Sequence, residues 1–135
     1  MNENKQKFKL KRDKYMSARG GTSIFYNIYC AHCRHWLLLY QKDGPGNLFR
    51  LYLDRIHAPE NLASLSRSLE QSPKFTGLTC THCKVSIGVP MIYKPENRPA
   101  FRLVPGAIVK KKSNGILQAP STSNSKEVSN EDSAS

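Results

Sequence analysis

Cys30-Ala31-His32-Cys33-Arg34 recurs in form as Cys80-Thr81-His82-Cys83-Lys84, with 46 residues between the two Cys-x-x-Cys pairs. Two residues between cysteines let a tight turn aim both thiolates at one metal ion, and two such knuckles supply the four sulfurs of a tetrahedral Zn²⁺ site. The spacing predicts one Zn²⁺ per chain, held by Cys30, Cys33, Cys80 and Cys83. The alternatives are a pair of redox dithiols or four buried free cysteines. Covalent haem attachment is excluded, because it needs His directly after the second Cys, where this chain has Arg34 and Lys84.

Working outward, residues 23–29 (Ser-Ile-Phe-Tyr-Asn-Ile-Tyr) are β-branched and aromatic and predict a strand running into Cys30. Residues 36–41 predict its partner beyond the knuckle. Lys42-Asp43-Gly44-Pro45-Gly46-Asn47 concentrates turn residues between two apolar runs, 36–41 and 48–53, and predicts a hairpin whose second strand is central, since both its faces are partly apolar. Pro59 and Glu60 suit a first helical turn, and Leu62, Leu65 and Leu69 follow at helical spacing, so a short helix is expected near 60–71. Residues 75–78, 85–87, 90–93 and 101–104 predict short strands, kept short or at edges by Pro90, Pro95, Pro99 and Pro105.

With short hairpins around one four-cysteine site, the chain resembles a zinc ribbon; the resemblance rests on the two knuckles and their flanking strands. It implies a small mainly-β (α+β) zinc-ribbon-like domain of short antiparallel strands with one short helix. Many zinc ribbons carry Gly just after the second Cys, where this chain has Arg34 and Lys84; Gly88 is the nearest match after Cys83. The whole chain, including residues 40–46, is similar to a small bacterial protein of this general type, a likeness that carries no activity. Rubredoxins also bind metal through two cysteine knuckles, which keeps iron as the less favoured ion, because four thiolates do not by themselves separate zinc from iron.

The net charge of +11 is uneven. Residues 1–19 hold seven Lys or Arg against Glu3 and Asp13, and the tails together carry more than half of the excess. The expected division is a basic disordered arm over 1–21, a zinc-binding domain over 22–112, and a disordered Ser/Asn-rich tail over 113–135. No apolar run approaches the ~18–20 residues that span a bilayer. The basic N-terminus lacks the apolar core of a secretory signal, so a reducing, cytoplasmic setting is expected.

No phosphate-binding Gly loop, nucleophile elbow or His-Glu-x-x-His occurs, and four thiolates leave a metal no open position, so an enzyme is not expected. His32 and His82 are expected as exposed turn residues, His35 as a spare and His57 as structural or surface. Lys42, Asp43, Arg50, Asp54 and Arg55 form a polar cluster that either binds an anion or partner or, the favoured reading, is a solvated turn with an ion pair. Three functions follow. One is a zinc-stabilised module contacting RNA, DNA or a ribonucleoprotein through the arm and through Tyr29, Arg34, Trp36 and Lys84. The others are a protein-interaction or structural adaptor and a rubredoxin-like iron redox protein.

Overall fold

The computed structural model describes residues 5–69 and 75–118. Two four-stranded antiparallel sheets form the body. The first runs in the order β5 (Ile56–Ala58), β3 (Trp36–Asp43), β2 (Ser23–Cys30), β9 (Ile108–Ser113). The second runs β4 (Arg50–Tyr52), β8 (Arg98–Leu103), β7 (Ser86–Tyr93), β6 (Leu78–Thr79). Ile28, Leu38 and Tyr40 of the first sheet and Leu51, Ile87 and Phe101 of the second join in one buried cluster, so the sheets pack face to face and share a core.

The outer face of the first sheet is not left to solvent at its far end. Phe25, Leu39 and Ala58 form a second cluster there, covered by Phe8, Leu10 and Leu117. The cover is made by the chain ends: β1 (Lys5–Lys7) pairs antiparallel with β10 (Ile116–Gln118). Asp13 then caps the five-residue helix α1 (Lys14–Ala18), accepting from the Tyr15 and Met16 amides, and Met16 is buried beneath it. The turn at Gly44 fits this seat closely; with φ +75 it tolerates only glycine readily, and a Cβ there would sit 2.6 Å from the Arg19 carbonyl oxygen.

These contacts correct the expected division of the chain. Residues 5–21 are seated on the body instead of forming a disordered arm, because Phe8 and Leu10, which follow the short strand β1, pack on the otherwise uncovered sheet face. Residues 113–118 continue β9 and form β10, so the tail expected to be disordered from 113 contributes structure up to 118; the remainder, 119–135, lies outside the described residues.

Two further expectations change. β4 pairs with β8 of the other sheet, at its edge, and makes no hairpin with β3. The residues between them carry the chain from one layer to the other. The helix near 60–71 is two four-residue segments, α2 (Glu60–Ala63) and α3 (Leu65–Ser68), interrupted at Ser64; residues 70 and 71 lie outside the described residues.

Asp43, Asp54 and Arg55 of the polar cluster belong to a largely buried ion network and not to a solvated turn, whereas Lys42 and Arg50 stand outside it. Arg55, 1% exposed, donates from Nε to Asp43 at 2.7 Å and from Nη2 to Asp13 at 2.6 Å. Arg98, 2% exposed, holds Asp54 at 2.6 Å and Glu96 at 2.9 Å, and Glu96 also takes Arg19 at 2.8 Å. The guanidinium of Arg98 lies 3.8 Å from the Tyr52 ring centroid and 3.9 Å from that of Tyr15. Hydrogen bonding from Arg55, against a smaller opposing effect of burial, holds Asp13 down to about 2.

His57 proves structural. It packs edge-on against Phe25 at 4.9 Å and Phe8 at 6.1 Å, with Nε2 3.0 Å from Gln41 Oε1. Burial first, then the charges of Lys11 and Arg55, push its pKa down to about 4, so the folded protein keeps this ring neutral. The unfolded chain takes up a proton near the usual value of about 6.5. Stability from this group is therefore complete above about pH 6.5, falls as pH drops towards 4, and is flat below that. Chemical denaturation from pH 7 to 4 is expected to show up to ~3 kcal/mol more loss in the wild type than in His57→Phe, from the shift at 1.36 kcal/mol per unit. Parallel curves for the two proteins would contradict this assignment.

Candidate metal centre and the adjoining sheet face

Each sheet delivers one knuckle. Cys30 ends β2, and the chain turns through Cys33 into β3; Cys80 follows β6, and the chain turns through Cys83 into β7. The two turns are built alike. The Arg34 amide donates to the Cys30 carbonyl at 2.8 Å and the Lys84 amide to that of Cys80 at 2.9 Å. The Cys30 and Cys80 amides close the loops onto the His35 and Val85 carbonyls at 2.8 and 2.9 Å.

Arg34 and Lys84 occupy the left-handed region, at φ 71 and 69. This is the conformation for which ribbon knuckles favour glycine, so the departure in residue type leaves the turn geometry intact at some energetic cost. Left-handed backbone costs a non-glycine residue roughly 1–2 kcal/mol, offset in part by the greater freedom a glycine brings to the unfolded chain. Arg34→Gly is expected to leave stability unchanged or raise it by up to ~1 kcal/mol, whereas Arg34→Val should lower it by at least that much. Thermal melts of the metal-loaded variants check the order; a glycine variant less stable than the valine one would overturn it.

The four sulfurs converge. Cys33 Sγ lies 3.5 Å from Cys80 Sγ and Cys30 Sγ 3.7 Å from Cys83 Sγ, and all four lie within 4.8 Å of one another. A tetrahedral ion with metal–sulfur bonds of about 2.3 Å requires sulfurs about 3.8 Å apart, which these spacings approach. Cys30 and Cys80 are fully buried, and Cys33 and Cys83 are half-buried. These cysteines therefore form a cluster able to hold a metal ion, placed where it ties one sheet to the other.

Ionisation within the cluster is unequal. Burial opposes charge on Cys80, but the Cys83 and His82 amides outweigh it and lower this thiol to about 7. Burial raises Cys33 to about 12, and its hydrogen bond to Cys80 adds to the rise. Loading a metal must therefore displace protons from the reluctant thiols, which makes binding weaken in acid.

The histidines fall where the knuckles put them. His35 and His82 are exposed and stack on each other, 3.8 Å between centroids and 12° between planes. Both come within reach of Cys33. Their in-plane lone pairs run side by side and do not converge on one point, so as placed they cap the knuckles and add no second ligand set.

Next to the knuckles, the outer face of the first sheet is only partly covered by the described residues. Tyr29 and Trp36 are register partners, as are Asn27 and Lys111. Trp36 is 37% exposed and donates from Nε1 to Asn27 Oδ1 at 2.9 Å. The Lys111 ammonium lies 5.6 Å from the Tyr29 ring centroid. Arg34 is exposed in the adjacent turn. Sequence reasoning singled out Tyr29, Arg34, Trp36 and Lys84 but missed Asn27 and Lys111, because Lys110-Lys111-Lys112 reads as the charged end of the domain and not as part of a strand. The preceding Ile108-Val109 was the signal for a strand.

Among the described residues, all five carboxylates (Asp13, Asp43, Asp54, Glu60 and Glu96) are engaged by Arg19, Arg55, Arg67 and Arg98. Among the residues whose side chains are described, the other basic groups face no carboxylate within salt-bridge reach. No described helix is long and apolar enough to cross a membrane.

The chain matches no protein-family model, and neither a curated protein nor a solved structure gives a significant match to it. The arrangement of the cluster and the adjoining face is thus argued on its own geometry.

Proposed function

We propose that the protein is a zinc-stapled binding module of zinc-ribbon type that contacts single-stranded nucleic acid through the sheet face beside the knuckles. The observation that carries this reading is the grouping of Trp36, Tyr29, Lys111 and Arg34 on a rigid sheet, with the internal carboxylates already consumed by buried arginines. Bases stack on exposed aromatic rings irrespective of sequence, and nearby cations neutralise phosphates. With residues 5–21 seated on the body, recognition moves from the arm to this folded face. Zinc is favoured as the ion because four thiolates on two knuckles give the closed tetrahedral set of a structural site. Sulfur approaches of 3.5 and 3.7 Å join different knuckles, which suits a shared ion better than two separate Cys-x-x-Cys dithiols.

Trp36 is the one tryptophan of the chain, so its fluorescence reports on this face directly. Titration with a single-stranded oligonucleotide near 50 mM salt is expected to quench it, with affinity falling steeply by 200 mM as counterion release predicts, to about a tenth or less. Lys111→Ala and Tyr29→Ala should each weaken binding by roughly ten-fold, in line with 1–3 kcal/mol per stacked base. Unchanged fluorescence and no salt-sensitive binding would favour the protein-interaction adaptor instead.

A further inference from the structure

At the end of β3 away from the cysteines, a cleft of about 280 Å³ opens beside the loop that carries the chain from one sheet to the other. Its lining includes Lys42, Arg50, Asn47 and Phe49. Lys42 continues the core-facing row of Leu38 and Tyr40 along β3 and is only 9% exposed. Its Nζ donates to the Gly44 carbonyl at 2.6 Å, and among the described residues no carboxylate lies within salt-bridge reach of it. Asp43, which also lines the cleft, is paired with Arg55 at 2.7 Å and accepts from Gln41 Nε2 at 2.9 Å, and Arg19 and Arg55 add positive charge to the lining.

A cation withdrawn from water without a counter-charge is costly, and an incoming anion removes that cost. Arg50 provides the second half of the site. Its Nε donates to the Tyr52 hydroxyl at 3.1 Å, and its guanidinium lies 4.2 Å from the Tyr93 ring centroid. No described residue accepts from its two terminal nitrogens. An ammonium and a guanidinium with donors to spare match the several oxygens and double charge of a phosphate better than a single carboxylate. Lys110 borders an adjoining hollow that shares Asn47, Leu48 and Phe49, and adds positive charge. Phe49, 63% exposed at the shared wall, offers a ring face to a planar group.

We propose that this cleft binds a nucleotide 5′-phosphate, with Lys42 and Arg50 holding the phosphate and Phe49 stacking on the base. The site is separate from the Trp36 face, since Lys42 lies on the core-facing side of β3 and Trp36 on the outer face. It stands whether or not that face binds a strand. The phosphate belongs either to a free nucleotide or to the end of a strand.

The test is calorimetric titration of the full metal-loaded chain with AMP, adenosine and inorganic phosphate. AMP and phosphate are expected to bind and adenosine not. Arg50→Ala and Lys42→Gln should each weaken both by about ten-fold or more, as loss of charge-assisted hydrogen bonds implies. Phe49→Ala should weaken AMP alone. Competition by a 5′-phosphorylated oligonucleotide, but not by its 5′-hydroxyl form, would support a strand end as the source; its failure would support the free nucleotide. Metal content and melting temperature of each variant establish that it is folded. Absence of phosphate and AMP binding at about 10 mM, or binding indifferent to both cation substitutions, would overturn the proposal. Trp36 quenching by a 5′-hydroxyl oligonucleotide should be unaffected by Arg50→Ala, so failure of the cleft and failure of the sheet face are read separately.

Discussion

Cys80→Ser is expected to leave the protein without bound metal and largely unfolded at room temperature. Cys80 is fully buried between the two sheets, and its sulfur lies 3.5 Å from that of Cys33 in the other knuckle. Structural zinc contributes apparent binding energies of about 10–16 kcal/mol near neutral pH, comparable with or larger than the ~5–15 kcal/mol total stability of ordinary domains. Removing one thiolate forfeits most of that and leaves a polar hydroxyl in an apolar place. Cys83→Ser should act in the same direction although Cys83 is only half-buried, because the effect comes from ligation. His82→Ala, one residue away and exposed, should change stability by less than ~0.5 kcal/mol. Circular dichroism melts with metal analysis separate these outcomes. A Cys80→Ser protein with the wild-type melt, and no metal in either, would remove the staple from the account.

The second large effect is expected in the ion network. Asp43→Ala should cost about 3–5 kcal/mol, because it leaves the guanidinium of Arg55, 1% exposed, with the partly exposed Asp13 at 2.6 Å and the more distant Asp54 at 4.0 Å as its carboxylate partners. Arg55→Met placed on top should recover part of the loss, since an apolar side chain of similar length does not suffer from the missing charge. Urea denaturation of the two single variants and the double variant gives the coupling energy. A loss below about 1 kcal/mol for Asp43→Ala would place the pair among weak surface bridges instead.

The knuckles were legible because their geometry is local: two intervening residues fix a turn whatever lies around it. Their mutual approach was legible from chemistry, since four thiolates at one point suit a metal. The N-terminal segment was expected to be a disordered arm because its lysines outweigh its few apolar residues, yet Phe8 and Leu10, whose docking the sequence left open, are the side chains that seat it. Asp13 ahead of Lys14-Tyr15-Met16 was likewise a helix cap in plain view.

Other features were not local at all. The turn residues 42–47 announce that the chain changes direction, but not that residues 50–52 will pair with β8 of the other sheet. That choice depends on a strand some fifty residues further on. The burial of Arg55 and Arg98 depends on Asp13 and Asp54, 42 and 44 residues away from them, and no window of sequence contains both partners. The cleft at Lys42 arises for the same reason, since β3 supplies one cation, the start of β4 the other, and neither run indicates alone that they share a hollow.

The central claim is that one zinc ion is held by Cys30, Cys33, Cys80 and Cys83 and ties the two sheets together. Zinc-edge X-ray absorption on the purified full chain tests it most directly. The account predicts one zinc per chain with four sulfur neighbours at about 2.3 Å and no nitrogen or oxygen in the first coordination sphere. A sphere containing imidazole nitrogen or water, or a folded protein that carries no zinc, would contradict it.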